Sequence, residues 1–245
     1  MRGSSLAKNS ALKYKRILLK ISGEAISSPT DIFDLRTIDA LISEIVDVHA
    51  LGAEVGIVIG GGNIIRGEKL AGAGFNRSRS DYMGMLATVI NGILFENALQ
   101  AKGVSAKLQS ALQLSSVTED VTANTSIRYL EQGCIVIFAG GTGNPYFTTD
   151  TAAALRACEI GADALLKATK VDGVFDRDPA VFKDANFFPE VSYDDILKHQ
   201  LKIMDMTAVS MCRDNEIPII IFNLHQHGNL KKIVKGETIG TIVKE

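Results

Sequence analysis

The chain has little that would let it cross a membrane, brace itself with disulfides or spread over a polyanion. Only three of its 245 residues are cysteine. Cys134, Cys158 and Cys212 lie in apolar contexts without a CxxC pair, so reduced buried thiols in a cytoplasmic protein are expected. No apolar run approaches the roughly 20 residues that span a bilayer, and the basic, polar opening lacks the apolar core of a secretory signal. A net charge of -2 excludes the basic surface that dominates nucleic-acid-binding domains. No internal repeat and no Pro/Ser-rich linker interrupts the chain. With 46% hydrophobic and 22% charged residues it suits one large α/β domain or two closely joined lobes.

Several familiar motifs are also missing. The run from Gly60 starts like GxGxxG, but Ile65 stands where a small residue must let helix and strand pack closely, which disfavours a Rossmann dinucleotide enzyme. The run from Gly62 approaches GxxxxGK, but Glu68 occupies the lysine position, which excludes a P-loop. No GxSxG elbow or Ser-His-Asp order supplies an acyl-transfer nucleophile. His225 and His227 form an HxH spacing with no carboxylate or cysteine partner nearby, so a surface loop before Gly228 is expected and no metal ligand is assigned.

What is present is a series of apolar, strand-like runs that end in glycine. Residues 16–21 lead into Ser22-Gly23, followed by a helical stripe of Ile38, Leu41, Ile42, Ile45 and His49. Residues 54–59 form a nearly continuous apolar strand of the kind buried in parallel sheets and break into Gly60-Gly61-Gly62. A helix is predicted over 81 to about 100, with Tyr82, Leu86, Val89, Ile90 and Ile93 on one side and Met83 and Met85 in packing roles. Strands at 104–108 and 135–138, with a helix near 124–131, complete a parallel α/β half. The second half predicts a helix over 151–159, a strand at 162–167, helices at 193–198 and 205–215, and strands at 217–222 and 238–243. One sheet is expected to run through both lobes, and the loop around Gly161 is the best boundary between them.

The stretch 139–175 joins two loops rich in glycine and threonine through one helix and one strand. Gly140 to Gly143 follow a strand's carboxyl end, where open α/β sheets bind ligands. Thr148, Thr149 and Asp150 then precede a helix whose first N–H groups favour an anion. At other strand ends stand Lys20, an exposed strand lysine or a grip on a terminal phosphate, and Arg66, a surface arginine or a fork spanning two phosphoryl groups. Asp81 reads either as a helix cap or as an acceptor for two ribose hydroxyls. Asp150 reads as a cap or as an organiser of Lys20 and a metal, since a carboxylate aimed straight at phosphates would repel them. In the second loop Thr169 can donate to a phosphate or base, and Phe175 and Asp178 can address an adenine face and a ribose. Lys167 and Lys170 are both plausible phosphate cations.

Taken together, KRILLKISGEA (15–25), VIGGGNIIRG (58–67), DYMGMLATVING (81–92), GTGNPYFTTD (141–150) and KATKVDGV (167–174) strongly resemble the bacterial uridylate (UMP) kinases. The likeness runs in order from about residue 15 to the C-terminus. It implies the amino-acid-kinase fold, a three-layer αβα sandwich with a mainly parallel central sheet. It also implies a single domain over 1–245, with a flexible extension to about 14, an acceptor lobe over about 15–160 and an ATP lobe over about 161–245. The implied activity is transfer of the ATP γ-phosphate to UMP in pyrimidine nucleotide biosynthesis, with Mg²⁺ held mainly through the phosphates. Carried over by motif, Lys20, Ile21, Ser22, Gly23, Gly62, Arg66, Thr169, Phe175 and Asp178 resemble the ATP site. Gly61, Asp81, Thr142, Gly143, Asn144, Pro145, Tyr146, Phe147, Thr148 and Thr149 resemble the UMP site, and Lys20, Arg66 and Asp150 the catalytic set. The resemblance further implies a cytoplasmic homohexamer inhibited by UTP. The segment ISSPTDIFD (26–34) lacks the glycines of GTP-responsive members, which counts against GTP activation. Another kinase of the same fold, acting on a carboxylate, carbamate or isopentenyl phosphate, and a nucleotide sensor without turnover are the competing readings.

Overall fold

Alternate residues of the first strand point into two different hydrophobic layers, and this parity organises the molecule. In β1 (Arg16–Ile21), Ile17, Leu19 and Ile21 join one core cluster while Leu18 joins the other. The first cluster takes its helical side chains from α1 (Leu35–Ala50), α2 (Arg77–Ala101) and α7 (Asn229–Val234). The second takes them from α3 (Ala123–Glu131), α4 (Thr149–Ile160), α5 (Tyr193–His199) and α6 (Met206–Asp214). Helices on both faces of one sheet make the expected three-layer αβα sandwich. The computed structural model describes residues 12–66, 70, 72–177, 179, 181–199, 201 and 203–245.

The remaining strands are β2 (Glu54–Ile59), β3 (Ala106–Ser110), β4 (Glu119–Asp120), β5 (Ile135–Ala139), β6 (Ala164–Thr169), β7 (Val174–Phe175), β8 (Phe187–Phe188), β9 (Glu190–Ser192), β10 (Ile219–Asn223) and β11 (Thr241–Lys244). Nine of the eleven described strands, β1 included, form one sheet in the order β4-β3-β5-β2-β1-β6-β10-β11-β9, while β7 and β8 make a separate hairpin. Every pairing in the large sheet is parallel except β10 with β11. The central strands β1, β2 and β5 are buried almost end to end, because helices cover both faces. Ahead of β1, the Lys13 and Tyr14 N–H groups donate to the Val234 carbonyl, and the Tyr14 ring is buried.

The expected strands β1 and β2 are found at the same residues, and most other elements shift by one or two. Helix α2 differs more. It begins at Arg77 under an Asn76 cap, so Asp81 lies a full turn inside it and is not the N-cap. The expected packing stripe is also rotated. Tyr82, Leu86 and Ile90 are exposed, as is Met83, whereas Met85, Val89, Phe95 and Leu99 are buried. The buried stripe also carries Ser80, Thr88, Asn91 and Gly92, and Thr88 and Asn91 meet glycine loops at the strand ends, so hydrophobicity does not mark it. The short β4, β7, β8, β9 and α7 lie outside the expected elements; two- and three-residue strands and a six-residue helix carry almost no periodic signal.

Candidate active site

Strand parity brings the first two charged groups together. Lys20 has the same parity as Leu18, and Lys167 the same as Leu165, so both lysines face the α4 layer at the carboxyl ends of their strands. They are direct partners in the β1–β6 register. Two ammonium groups side by side would repel in a site this dry, and Asp150, in the first turn of α4, bridges them. Its Oδ1 lies 2.7 Å from Lys20 Nζ and its Oδ2 lies 2.8 Å from Lys167 Nζ. Thr148 caps α4 by accepting the Asp150 and Thr151 N–H groups, so Asp150 is an organiser of the lysines and not the cap. Burial pushes the Asp150 carboxyl up, but the adjoining Lys20 and Lys167 ammoniums outweigh it and hold the carboxyl below the usual carboxylate range. Burial pulls the Lys167 ammonium below its ordinary value; Asp150 opposes that pull and Lys20 adds to it. Lys167 also donates to the Ile203 carbonyl. Lys170, the other candidate cation, is exposed.

Asp205, the α6 N-cap, ties a further segment to this centre. Its carboxylate accepts the Thr148 hydroxyl and, at 2.9 Å, the Thr151 hydroxyl. Ile203 and Asp205 thus strap the start of α4 and Lys167 together.

Around Lys20 the backbone is crowded. A Cβ on Gly23 would stand 2.5 Å from Asn63 Oδ1, 2.7 Å from the Gly60 carbonyl and 2.8 Å from the Gly62 nitrogen. Only glycine lets the loops after β1 and β2 interlock in this way. Ser22 accepts the Glu24 N–H at 3.1 Å and opens a 3-10 turn over Gly23–Ile26. Gly61 is pressed as closely against α2, where a Cβ would sit 2.8 Å from both the Gly84 carbonyl and Ala87 Cβ. Two polar residues of α2 fix these loops from behind. Thr88 accepts the Gly140 N–H at 2.8 Å, and Asn91 donates to the Gly60 carbonyl at 2.6 Å.

In front of these loops opens a cavity of about 510 Å³. Its walls bring together Gly61, Asp81, Thr142, Asn144, Phe147, Thr148 and Thr149 from the expected acceptor set, and Gly62 and Arg66 from the expected donor set. Gly143, Pro145 and Tyr146 belong to the same loop without lining the cavity; Tyr146 instead donates its N–H to Asp81 Oδ2 at 2.8 Å. Arg66 pairs with Glu24. Lys20 and Ile21 lie just behind, at the end of β1.

The expected donor-nucleoside residues lie apart from this cavity. Thr169 ends β6, and its hydroxyl reaches the Val171 carbonyl at 2.7 Å and the Phe222 carbonyl at 3.2 Å. The Phe175 ring packs on Phe187 at 5.4 Å between centroids. Asp178 lies outside the described residues. A second cavity of about 550 Å³ carries Asp176, Glu190 and Asp195 on its wall, a charge that disfavours a polyphosphate.

The sequence reading missed Arg77, Met85 and Thr88 on the cavity wall, and Asn91 and Asp205 behind it. A polar residue in a helix stripe that should be apolar, as at Thr88 and Asn91, was the available signal. The reading also placed no carboxylate beside the HxH pair, and here the structure corrects it. Glu44 of α1 lies 2.8 Å from His227 Nδ1 and accepts the Gly228 N–H, tying α1 to the start of α7. The two sites are 183 residues apart, so proximity in sequence could not show it. Among the described residues no group of three or more His, Cys, Asp or Glu side chains could hold a metal ion. Asp150 Oδ1 is buried and accepts no directed hydrogen bond. With Lys20 Nζ already 2.7 Å away, that oxygen is not a vacant metal ligand, and an ion here would be held through nucleotide phosphates rather than by protein alone.

A parallel sheet with glycine loops, two paired lysines and an acidic bridge at its strand ends defines a phosphoryl-transfer fold of a particular kind. The amino acid kinase family model matches residues 15–223, and the chain belongs to that family. Within it, the likeness is to UMP kinases. The chain is 35% identical to the UMP kinase of Bacillus anthracis, over 94% of this chain and 96% of that one, with a TM-score of 0.91. It is also 35% identical to the UMP kinase of Ureaplasma parvum, over 95% and 100%, with a TM-score of 0.89. The uridylate kinase of Archaeoglobus fulgidus is 25% identical over 93% and 99%, with a TM-score of 0.70. Among the described residues no helix is long and apolar enough to cross a membrane.

Proposed function

We propose that the chain transfers the γ-phosphoryl group of ATP to UMP, giving UDP, by direct in-line displacement. The observation that carries this reading is the convergence of Gly61, Asp81 and the 142–149 loop on one cavity that adjoins the Lys20–Asp150–Lys167 triad. A nucleoside monophosphate fits the cavity with its ribose at Asp81, its uracil edge at Thr142 and Asn144, and its phosphate toward Gly61, Gly62 and Arg66. Its phosphate is already ionised and needs no general base to become a nucleophile. Lys20 and Lys167 hold the donor phosphate, Arg66 leaves Glu24 to span the two phosphoryl groups, and Asp150 keeps the lysines in place without touching a phosphate itself. When bound, Mg²⁺ neutralises phosphate charge, with Asp150 as its protein-side neighbour.

The assembly we propose is a homohexamer, and the exposed apolar residues Tyr82, Met83, Leu86 and Ile90 along one side of α2 support self-association. The unpaired cysteines support a cytoplasmic location. UTP is the proposed inhibitor because it shares the acceptor's nucleoside. The glycine-free segment 26–34 supports no response to GTP.

A coupled ADP-release assay with UMP, CMP, dUMP and aspartate tests the activity. ADP formed fastest with UMP is expected. Faster release with aspartate would assign the chain to another branch of its family, and no release with any acceptor would leave the sensor reading.

A further inference from the structure

We propose that Arg77 is a positioning residue for the acceptor, acting through Asp81; the inference rests on the UMP reading above. Arg77 opens α2, lines the cavity and stands one turn before Asp81. Its Nε donates to both Asp81 oxygens at 2.9 Å. Its guanidinium also lies 5.7 Å from the centroid of the Tyr146 ring, and the Tyr146 N–H donates to the same Asp81 carboxylate. Tyr146 adopts a φ of 72°, a left-handed conformation that a bulky residue holds only when its surroundings fix it. Three groups from α2 and the 142–149 loop therefore close into one latch at the cavity wall.

The electrostatics explain why the latch needs an arginine. The Asp81 side chain is only 12% exposed and faces a cavity that must admit an anionic nucleotide. A shielded, uncompensated carboxylate there would repel the incoming phosphate and be costly to hold ionised. Arg77 cancels that charge while leaving lone pairs for the ribose hydroxyls. The Nε–H shared between the two oxygens orients the carboxylate, and the guanidinium beside the Tyr146 ring helps hold the 142–148 loop to the same helix. The role is therefore in acceptor affinity and leaves the transfer step untouched.

The test is a double-mutant cycle on the full chain, with steady-state constants for UMP and ATP. Arg77→Ala is expected to raise the KM for UMP about tenfold, with kcat and the KM for ATP changed less than about twofold. In an Asp81→Asn background the same substitution is expected to add almost nothing, because the charge it compensates is gone. Arg77→Lys keeps the charge but loses the planar donor shared by both oxygens, so it should recover only part of the UMP affinity, and Arg77→Gln should behave like alanine, which keeps the outcome readable if the alanine variant folds poorly. Additive losses from Arg77→Ala and Asp81→Asn, or a joint shift of kcat and both KM values, would overturn the inference while leaving the functional reading intact. No ADP from the unaltered chain with UMP would overturn that reading, and the inference with it.

Discussion

The two ends of the site are built on different plans. On the acceptor side, side chains from α2 and the 141–149 loop meet across a cavity and are fixed to one another before any ligand arrives, through Thr88 to Gly140 and Tyr146 to Asp81. On the side proposed for the donor nucleoside, Thr169 bonds the carbonyls of its own loop and of β10, and Phe175 packs on its hairpin partner. The donor loop is further held by Asp172, which accepts from Asn223 at 2.9 Å and Gln226 at 2.8 Å. One end presents preset side chains, while the other presents a backbone shaped from within. Acceptor identity should therefore depend steeply on single side chains, and donor affinity should be spread over many.

The largest effect is expected between the two ends. Arg66→Ala should lower kcat by ~10³-fold or more, by analogy with arginines that neutralise a transferring phosphoryl group. Turnover left unchanged in a stopped assay would remove Arg66 from the transfer step. It would also show that Glu24 pairing is its resting role and its working one.

Asp150→Asn comes next, with an expected loss in kcat of ~10²-fold, since Lys20 and Lys167 lose the group that holds them side by side. The same substitution has a signature in acid. The folded-state carboxyl lies below the ordinary aspartate value, so its contribution to stability is complete above that value and is lost as pH falls through the lower folded one. The gap in melting temperature between the unaltered chain and Asp150→Asn should thus be constant from about pH 7 to 5 and narrow below about pH 4. A gap that stays the same down to pH ~3 would place the stabilisation somewhere other than this ion triad.

The sequence made these centres legible to different degrees. Glycine-ended strands could be read because β1, β2 and β5 are buried on both faces and so written as unbroken apolar runs. The orientation of α2 could not, because the stripe it buries mixes Val89 and Phe95 with Thr88, Asn91 and Gly92, while Tyr82, Leu86 and Ile90 lie outside. Lys20, Arg66 and Asp150 were visible as charges at strand and helix ends. Lys167 as the second ammonium on Asp150 was not, since that pairing depends on β6 lying beside β1 and α4 crossing both. That adjacency also sets Lys167, and not Lys170, beside Lys20, a difference that no local pattern shows. Asp205 was hidden by distance: its partners Thr148 and Thr151 precede it by more than 50 residues.

Asp81→Asn bears directly on the contrast between the two ends. It should raise the KM for UMP ~10-fold while leaving the KM for ATP within about twofold, because a ground-state ribose contact weakens and the donor end is untouched. Discrimination against dUMP should fall along with it. A selective loss of ATP affinity would reverse the assignment of the two ends.

The smallest effect is expected at Thr169. Because its hydroxyl bonds Val171 and Phe222 carbonyls, its contribution to ATP passes through the shape of the 169–173 turn. Thr169→Val keeps the β-branched bulk that suits the end of β6 and removes the single O–H donor that the two carbonyls share, worth about 1 kcal/mol net in a half-exposed setting. The turn can be partly rescued by water and by the Leu224 N–H that still donates to the Thr169 carbonyl at 3.0 Å. The KM for ATP should therefore rise about threefold, with kcat and the KM for UMP unchanged. A rise beyond ~30-fold would mean that the hydroxyl meets the nucleotide itself, and the donor end would then depend on single side chains just as the acceptor end does.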